Sequence, residues 1–214
     1  MSKAAGDGEL TIRPLTPSRA ADVKTITRGS WGAQCWDLHH RYTASQQRAL
    51  GIAGAPTATV EERRRAIVAK LARRRHAPML VAYVGREPAG FVSLGPRTDY
   101  GRVARSKATP PVDDVAAWVI PCITVRRGYR RRGIAIALLE AAVEYAGRHG
   151  APAIEGYPRT ETKLHDDFAF IGTEAMFKKA GYRRVRGVMT DLPRGWAPRV
   201  AMRAACKTIG ARQH

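Results

Sequence analysis

The sequence predicts one α/β domain. Apolar segments of strand length alternate with amphipathic helical stretches along the whole chain. No internal repeat and no low-complexity linker divides its 214 residues, a length that buries one good core more readily than two. Hydrophobic residues make up 44% and charged residues 26%, ordinary for a globular protein.

The elements follow in order. Leu10-Thr11-Ile12-Arg13-Pro14 alternates and stops at proline, which suits a short first strand. Thr16-Pro17-Ser18 opens a helix, with a hydroxyl to cap it and proline in the first turn. Residues 31–42 mix aromatic and polar side chains, and residues 51–59 read as a loop rich in Gly, Ala, Pro and Thr. Residues 60–76 predict a helix with a narrow apolar stripe of Val60, Ile67, Val68 and Leu71. Arg63, Arg64, Arg65, Lys70, Arg73, Arg74 and Arg75 fall on its other faces, which reads as a solvated surface. Residues 79–84 and 89–94 are strands of a hairpin around Gly85-Arg86-Glu87-Pro88. The long basic connection over residues 95–112 suits a substrate-side lid.

Residues 118–125 form an apolar strand with Pro121 inside it. Proline cannot donate to a ladder, so it marks a bulge that splays this strand from its neighbour. Ala135, Leu138, Leu139, Ala142, Val143 and Ala146 then recur at helical spacing, with Arg148-His149-Gly150 as the stop. Residues 153–157 are the next strand, and residues 173–180 a short helix closed by Gly181. Residues 182–189 and 200–206 make a final hairpin around Pro193-Arg194-Gly195.

The charge is unusual: the formal net charge is +19. Such a field draws phosphorylated cofactors, acidic substrates or nucleic acid, although solvated arginines without a partner are an equal reading. Cys35, Cys122 and Cys206 form no C-x-x-C pair, and His39-His40 lack the spacing of a metal motif, so no metal is expected. Reduced thiols, a polar N-terminus expected to be disordered over residues 1–8, and the lack of a long apolar run point to a cytoplasmic protein without a membrane segment.

The stretch Arg126-Arg127-Gly128-Tyr129-Arg130-Arg131-Arg132-Gly133-Ile134-Ala135 lies between the apolar strand and the amphipathic helix. A glycine-containing basic turn at a helix N-terminus cradles phosphate. Its N–H groups are unpaired, the helix dipole favours an anion, and a missing Cβ permits close approach.

In this element order, Arg130-Arg131-Arg132-Gly133-Ile134-Ala135 resembles the acetyl-CoA pyrophosphate motif [Q/R]-x-x-G-x-[G/A] of the GNAT superfamily of N-acetyltransferases. Ala175-Met176-Phe177-Lys178-Lys179-Ala180-Gly181-Tyr182 resembles that family's second motif, a short helix ending in Gly-Phe or Gly-Tyr. The P-loop and dinucleotide fingerprints are absent. The resemblance implies a mixed, mostly antiparallel sheet of six to seven strands with a splayed central pair and helices on both faces, in one acyl-CoA N-acyltransferase domain over residues 1–214. It implies acetyl-CoA, no metal, and acetyl transfer to a primary amine. A small-molecule amine leads, with a protein or peptide amine and a non-catalytic acyl-CoA- or nucleic-acid-binding protein as alternatives. Monomer and homodimer both remain open.

The site residues implied are these. Main-chain groups of Arg131, Arg132, Gly133, Ile134 and Ala135 hold pyrophosphate, and Arg130 adds charge. Ile123, Thr124 and Val125 pair with the pantetheine arm, with the Ile123 N–H as oxyanion donor. The family's usual tyrosine is replaced by Phe177, which would pack on that arm. The amine must shed a proton before attack, and Glu155 on the neighbouring strand is the leading base, with Asp113 and Asp114 in reserve. Tyr157 or His165 could protonate the leaving thiolate. Trp31, Trp36 and Tyr42 could wall the amine pocket with Asp37 as counter-charge, while core packing is the competing role for each aromatic.

Overall fold

The computed structural model describes residues 8–30, 33, 35–55, 57–160, 170–189, 192 and 198–207. The chain runs β1 (Leu10–Pro14), a 3₁₀ turn (Pro17–Arg19), α1 (Ala20–Thr27), α2 (Leu38–Arg41), α3 (Ala44–Ala49), α4 (Ala58–Leu71), β2 (Met79–Val84) and β3 (Glu87–Pro96). A second 3₁₀ turn (Arg97–Asp99) follows, then α5 (Gly101–Ala104), β4 (Trp118–Val125), α6 (Ile134–Arg148), β5 (Ala153–Gly156), α7 (Glu174–Lys179), β6 (Arg183–Arg186) and β7 (Ala201–Ala205). Of residues 1–8, whose disorder the sequence suggested, 1–7 lie outside the described residues. Gly8 packs against Gly85.

The strands form one seven-stranded sheet in the order β1-β2-β3-β4-β5-β7-β6. β4 and β5 are parallel, and every other neighbouring pair is antiparallel. The parallel ladder is short: Trp118 faces Ile154, Val119 faces Glu155 and Ile120 faces Gly156, and there it ends. β4 continues beside β3 through residues 121–125 with nothing from β5 opposite. On the β3 side the register slips at the same level, since Ser93 faces Cys122 but Gly95 faces Val119. Pro121, which has no N–H to give, sits in that irregularity, and the splayed central pair follows from it.

One sheet face packs on α6. Leu138, Leu139, Ala142 and Ala146 are fully buried there against Val92, Leu94, Ile120 and Ile154. Each leucine so buried contributes about 2 kcal/mol. The opposite face packs on α1 and α4 through Val23, Ile26, Val68, Met79, Val81 and Phe91.

Three sequence expectations are corrected. Residues 95–112 are not one long connection: β3 runs to Pro96, and the 3₁₀ turn and α5 follow, pinned by the fully buried Tyr100. Arg41 donates to the Tyr100 hydroxyl and stacks on its ring at 4.0 Å. The helix expected over residues 60–76 ends at Leu71, beyond which Arg74 and His76 turn to Asp99 at 3.4 and 3.3 Å. In α4, Arg64 is not on a solvated face. It is 2% exposed and donates to the carbonyls of Ile52 (2.8 Å), Gly54 (3.1 Å) and Ala33 (3.3 Å). Three carbonyls from two loops, one before α2 and one after α3, thus share a single buried cation, which offsets the cost of its desolvation.

Arg64→Met keeps the length and removes the donors. It is expected to lower unfolding stability by about 3 kcal/mol, read from urea midpoints, because the carbonyls stay buried without partners.

Candidate active site

The end of β4 leads directly into the basic turn. Gly133 is the N-cap of α6, with φ +76° and ψ −7°. That left-handed conformation demands glycine here. A Cβ at Gly133 would meet no protein atom within 4 Å, so the space above the turn is open. Ile136 and Ala137 both donate to the Gly133 carbonyl, so the N–H groups ahead of them have no intrahelical acceptor. Arg131 also takes a positive φ, 62°, which curls the turn toward the helix axis. Arg131 and Arg132 are exposed, while the Arg130 Nε donates back to the Val125 carbonyl at 3.1 Å. The open space, the unpaired donors and the arginines fit a pyrophosphate group.

Beyond Ile120 the β5-facing edge of β4 presents Ile123, Thr124 and Val125. Phe177 of α7 closes the gap from the α6 side. It is wholly buried, stands edge-on to Tyr182 at 5.0 Å, and lies so close over Gly156 that a Cβ there would run into its ring. Phe177 therefore fills the space over the last paired residue of β5 and offers no surface of its own to a pantetheine arm.

On the other face, Glu155 is 3% exposed and both of its oxygens are engaged. Arg203 donates to Oε1 from Nε (2.8 Å) and Nη2 (2.6 Å), and the Tyr157 hydroxyl donates to Oε2 at 2.6 Å. Arg203 also forks onto Asp113 at 2.7 and 2.8 Å, which holds the Asp113 carboxyl below the usual range. Tyr157 in turn accepts from Arg97 Nη1 at 2.6 Å. Burial, then the Glu155 charge, pushes the Tyr157 hydroxyl well above its ordinary value.

The segment before α2 turns inward. Trp36 and Asp37 take φ 49° and 68°, and both are buried. Trp36 packs in the core between the sheet and α1 and α4, so it does not wall an open pocket. Tyr42 is half-buried against the same core. Asp37 lies 3.4 Å from Arg41, and its carboxyl is pushed up to about 7 by burial, partly offset by Arg41 and Ser93. Single donor atoms of Asp37, His40 and Cys122 lie within 4.8 Å of one another. Arg41 opposes a cation there, and burial raises the Cys122 thiol far above its ordinary value, so it is no nucleophile. Trp31 and His165 lie outside the described residues.

His40 joins this cluster to a cavity of about 490 Å³, lined by His39, His40, Arg102, Arg105, Arg159 and Arg199 among others. Arg159 comes just after Gly156, where β5 has left β4, and bridges to Thr173 and Arg199. The cavity thus lies beside the segment after β5, on the α2 and α5 side, and His40 on its wall brings a ring nitrogen within 4.8 Å of the Cys122 sulfur of β4.

The model of the Acetyltransferase (GNAT) family matches residues 34–163, more than half of the chain. The chain belongs to the GNAT acetyltransferase family. Its fold is that of a GNAT-family acetyltransferase from Bacillus cereus (TM-score 0.53, 13% identity, covering 93% of this chain and 99% of that one). It is similarly matched by one from Streptococcus pneumoniae (0.53, 18%, 92% and 99%) and an N-acetyltransferase from Staphylococcus aureus (0.52, 14%, 92% and 99%). Among curated proteins none matches the sequence. GNAT enzymes use acetyl-CoA. Among the described residues no helix is long and apolar enough to cross a membrane.

Sequence reasoning passed over His40, Arg102, Arg159 and Arg199. Asp37 and His40 stand three apart at the start of α2, a spacing that puts both on one helix face, and that signal was available. The arginines come from three separated segments and carry no local pattern.

Asp37 makes a pH prediction. Its folded pKa, about 7, lies above its ordinary value of 3.8. Between these values the folded protein holds a proton that the unfolded chain has released, so stability falls as pH rises through that window. Asp37→Asn is expected to flatten this downward slope in urea midpoints measured from pH 4 to pH 8, relative to wild type.

Proposed function

We propose that this GNAT protein transfers acetyl from acetyl-CoA directly to the primary amine of a small molecule. The observation that carries this is the cavity of about 490 Å³ on whose wall stands His40, with a ring nitrogen within 4.8 Å of the Cys122 sulfur of β4. That volume is in the range of small-molecule sites. Acetyl-CoA supplies the acetyl group already activated as a thioester, and the protein supplies orientation and proton management.

The turn over residues 130–135 receives the pyrophosphate, and the free β4 edge over Ile123, Thr124 and Val125 receives the pantetheine arm. The Ile123 N–H stabilises the oxyanion as the carbonyl becomes tetrahedral. The attacking amine must be neutral. Glu155, the base suggested by the sequence, has its oxygens occupied by Arg203 and Tyr157, an arrangement that suits positioning. We place the base at His40 on position: it lines the cavity and its Nε2 has no hydrogen-bond partner among the described residues, while burial and neighbouring positive charges, which hold its pKa down to about 3, keep the ring neutral and make it a weak base. The thiolate can leave unprotonated, since a free thiol has a pKa of about 8.5. A hydroxyl as weakly acidic as Tyr157 is ill suited to protonate it.

The test is acetyl-CoA-dependent thiol release across amine classes. Gly133→Val, strained at φ +76°, should raise KM for acetyl-CoA roughly tenfold or more, with calorimetry showing the same loss of CoA binding. His40→Gln should lower kcat by roughly 10²–10⁴-fold with CoA binding intact. Glu155→Gln should lower thermal stability while leaving the shape of the pH–rate profile unchanged. A profile that loses a limb in Glu155→Gln, with full activity in His40→Gln, would return the base to Glu155.

A further inference from the structure

A buried polar cluster lies between α2 and β4. Asp37 comes just before α2, His40 lies on it, and Cys122 lies on β4 opposite Ser93. One donor atom from each of Asp37, His40 and Cys122 falls within 4.8 Å of the other two. Asp37 is wholly buried, yet among the described residues neither of its oxygens has a hydrogen bond of good geometry, and the His40 Nε2 has no partner either. Trp36 and Asp37, neither of them glycine, take positive φ to bring this carboxylate inside. Backbone strain that buries an unsatisfied acid beside a thiol and an imidazole points to a ligand between them.

An ordered water would satisfy the carboxylate and the imidazole, but a thiol is a poor partner for water. All three groups are ligands of a borderline-soft divalent ion, and zinc takes such a set with a fourth position left for water. Around one tetrahedral zinc the ligand atoms stand roughly 3.5 Å apart, so these side chains close on it by movements of about 1 Å. The charges also balance. A thiolate and a carboxylate cancel the ion. Arg41, which opposes it, is answered by Asp99 at 3.8 Å and held by the Pro78 carbonyl at 3.2 Å and by the Tyr100 ring.

Resting on the acetyltransferase reading above, we propose that Asp37, His40 and Cys122 form a zinc site whose occupation switches acetyl transfer off. The ion enters from the cavity, where His40 stands on the wall. It displaces the Cys122 proton, and any proton held on Asp37, to the buffer and binds His40 as the neutral ring. A neutral imidazole has one basic lone pair, so a coordinated His40 has none left for the amine. Zinc is an inhibitor here, and the ion-free protein is the active form.

Protein freed of metal with EDTA and kept reduced tests this with zinc chloride and cobalt chloride alone. Calorimetry should show one zinc ion taken up per chain, with protons released to the buffer. Cobalt should give a sulfur-to-metal charge-transfer band and the visible bands of tetrahedral coordination. Magnesium, which prefers oxygen ligands, should not compete. Cys122→Ala should abolish the charge-transfer band and weaken zinc binding at least about tenfold, and Asp37→Asn should repeat the weakening if the first variant folds poorly. No uptake by wild type, or binding unchanged in both variants, overturns the site. These readouts need no turnover, so they stand or fall apart from the acetyltransferase reading. Turnover is followed by chromatography of the acetylated amine, because free CoA itself binds zinc. Saturating zinc should lower the wild-type rate roughly 10²-fold or more, as loss of the base does. Cys122→Ala should keep the metal-free rate and lose most of this sensitivity. Zinc held by Cys122 without inhibition refutes the off state.

Discussion

The parting of β4 from β5 is the constraint on which the rest of the site depends. It is enforced from two sides. Pro121 interrupts the hydrogen-bonding pattern of β4 just where the ladder to β5 ends, and Phe177 stands against Gly156 as a wedge. Neither alone would suffice. A proline without a wedge lets the strands close again below it, and a wedge without a proline leaves a strand still able to pair. Together they leave a row of main-chain groups that no strand can satisfy, which is an unstable arrangement unless a ligand or water takes the place of the missing partner. The basic turn at the end of the same strand puts a helix N-terminus at one end of that row. His40 and the arginine-lined cavity lie on its other side.

Much of this was legible in the sequence because it rests on local rules. Strand-length apolar runs, a proline inside one of them, and a glycine before an amphipathic helix each follow from backbone physics within a few residues. Those signals located all seven strands and the basic turn ahead of α6. What the sequence hid was set by the third dimension. Arg64 has the same local surroundings as Arg63 and Arg65, yet the loop carbonyls of Ile52 and Gly54 come to it from elsewhere in the chain. Glu155 stands on the expected strand, but its occupation by Arg203 depends on β7 lying next to β5. Trp36 and Asp37 look like surface recognition groups until the positive φ at both residues folds them under the sheet.

Charge is distributed with the same logic. A formal net charge of +19 gives most arginines no carboxylate to meet. Inside the fold the scarce acids are placed where they hold geometry: Asp99 gathers Arg41, Arg74 and His76, Glu174 gathers Lys178 and Arg184, and Glu155 with Asp113 gathers Arg203.

The sheet order has a consequence for how the molecule comes into being. β7 follows β6 in the chain but lies between β6 and β5. While the chain is being synthesised, β1 to β4 can pair as they emerge, since each neighbours its predecessor. The second half must wait. β5 and β6 gain their shared partner only when residues 201–205 arrive, and the same strand delivers Arg203 to Glu155. A ribosome that stops short leaves a half-sheet with a bare β5 edge and a Glu155 without its arginine. Insertion of the last strand into the middle of the sheet therefore makes assembly of the acceptor side conditional on a chain translated through residue 205.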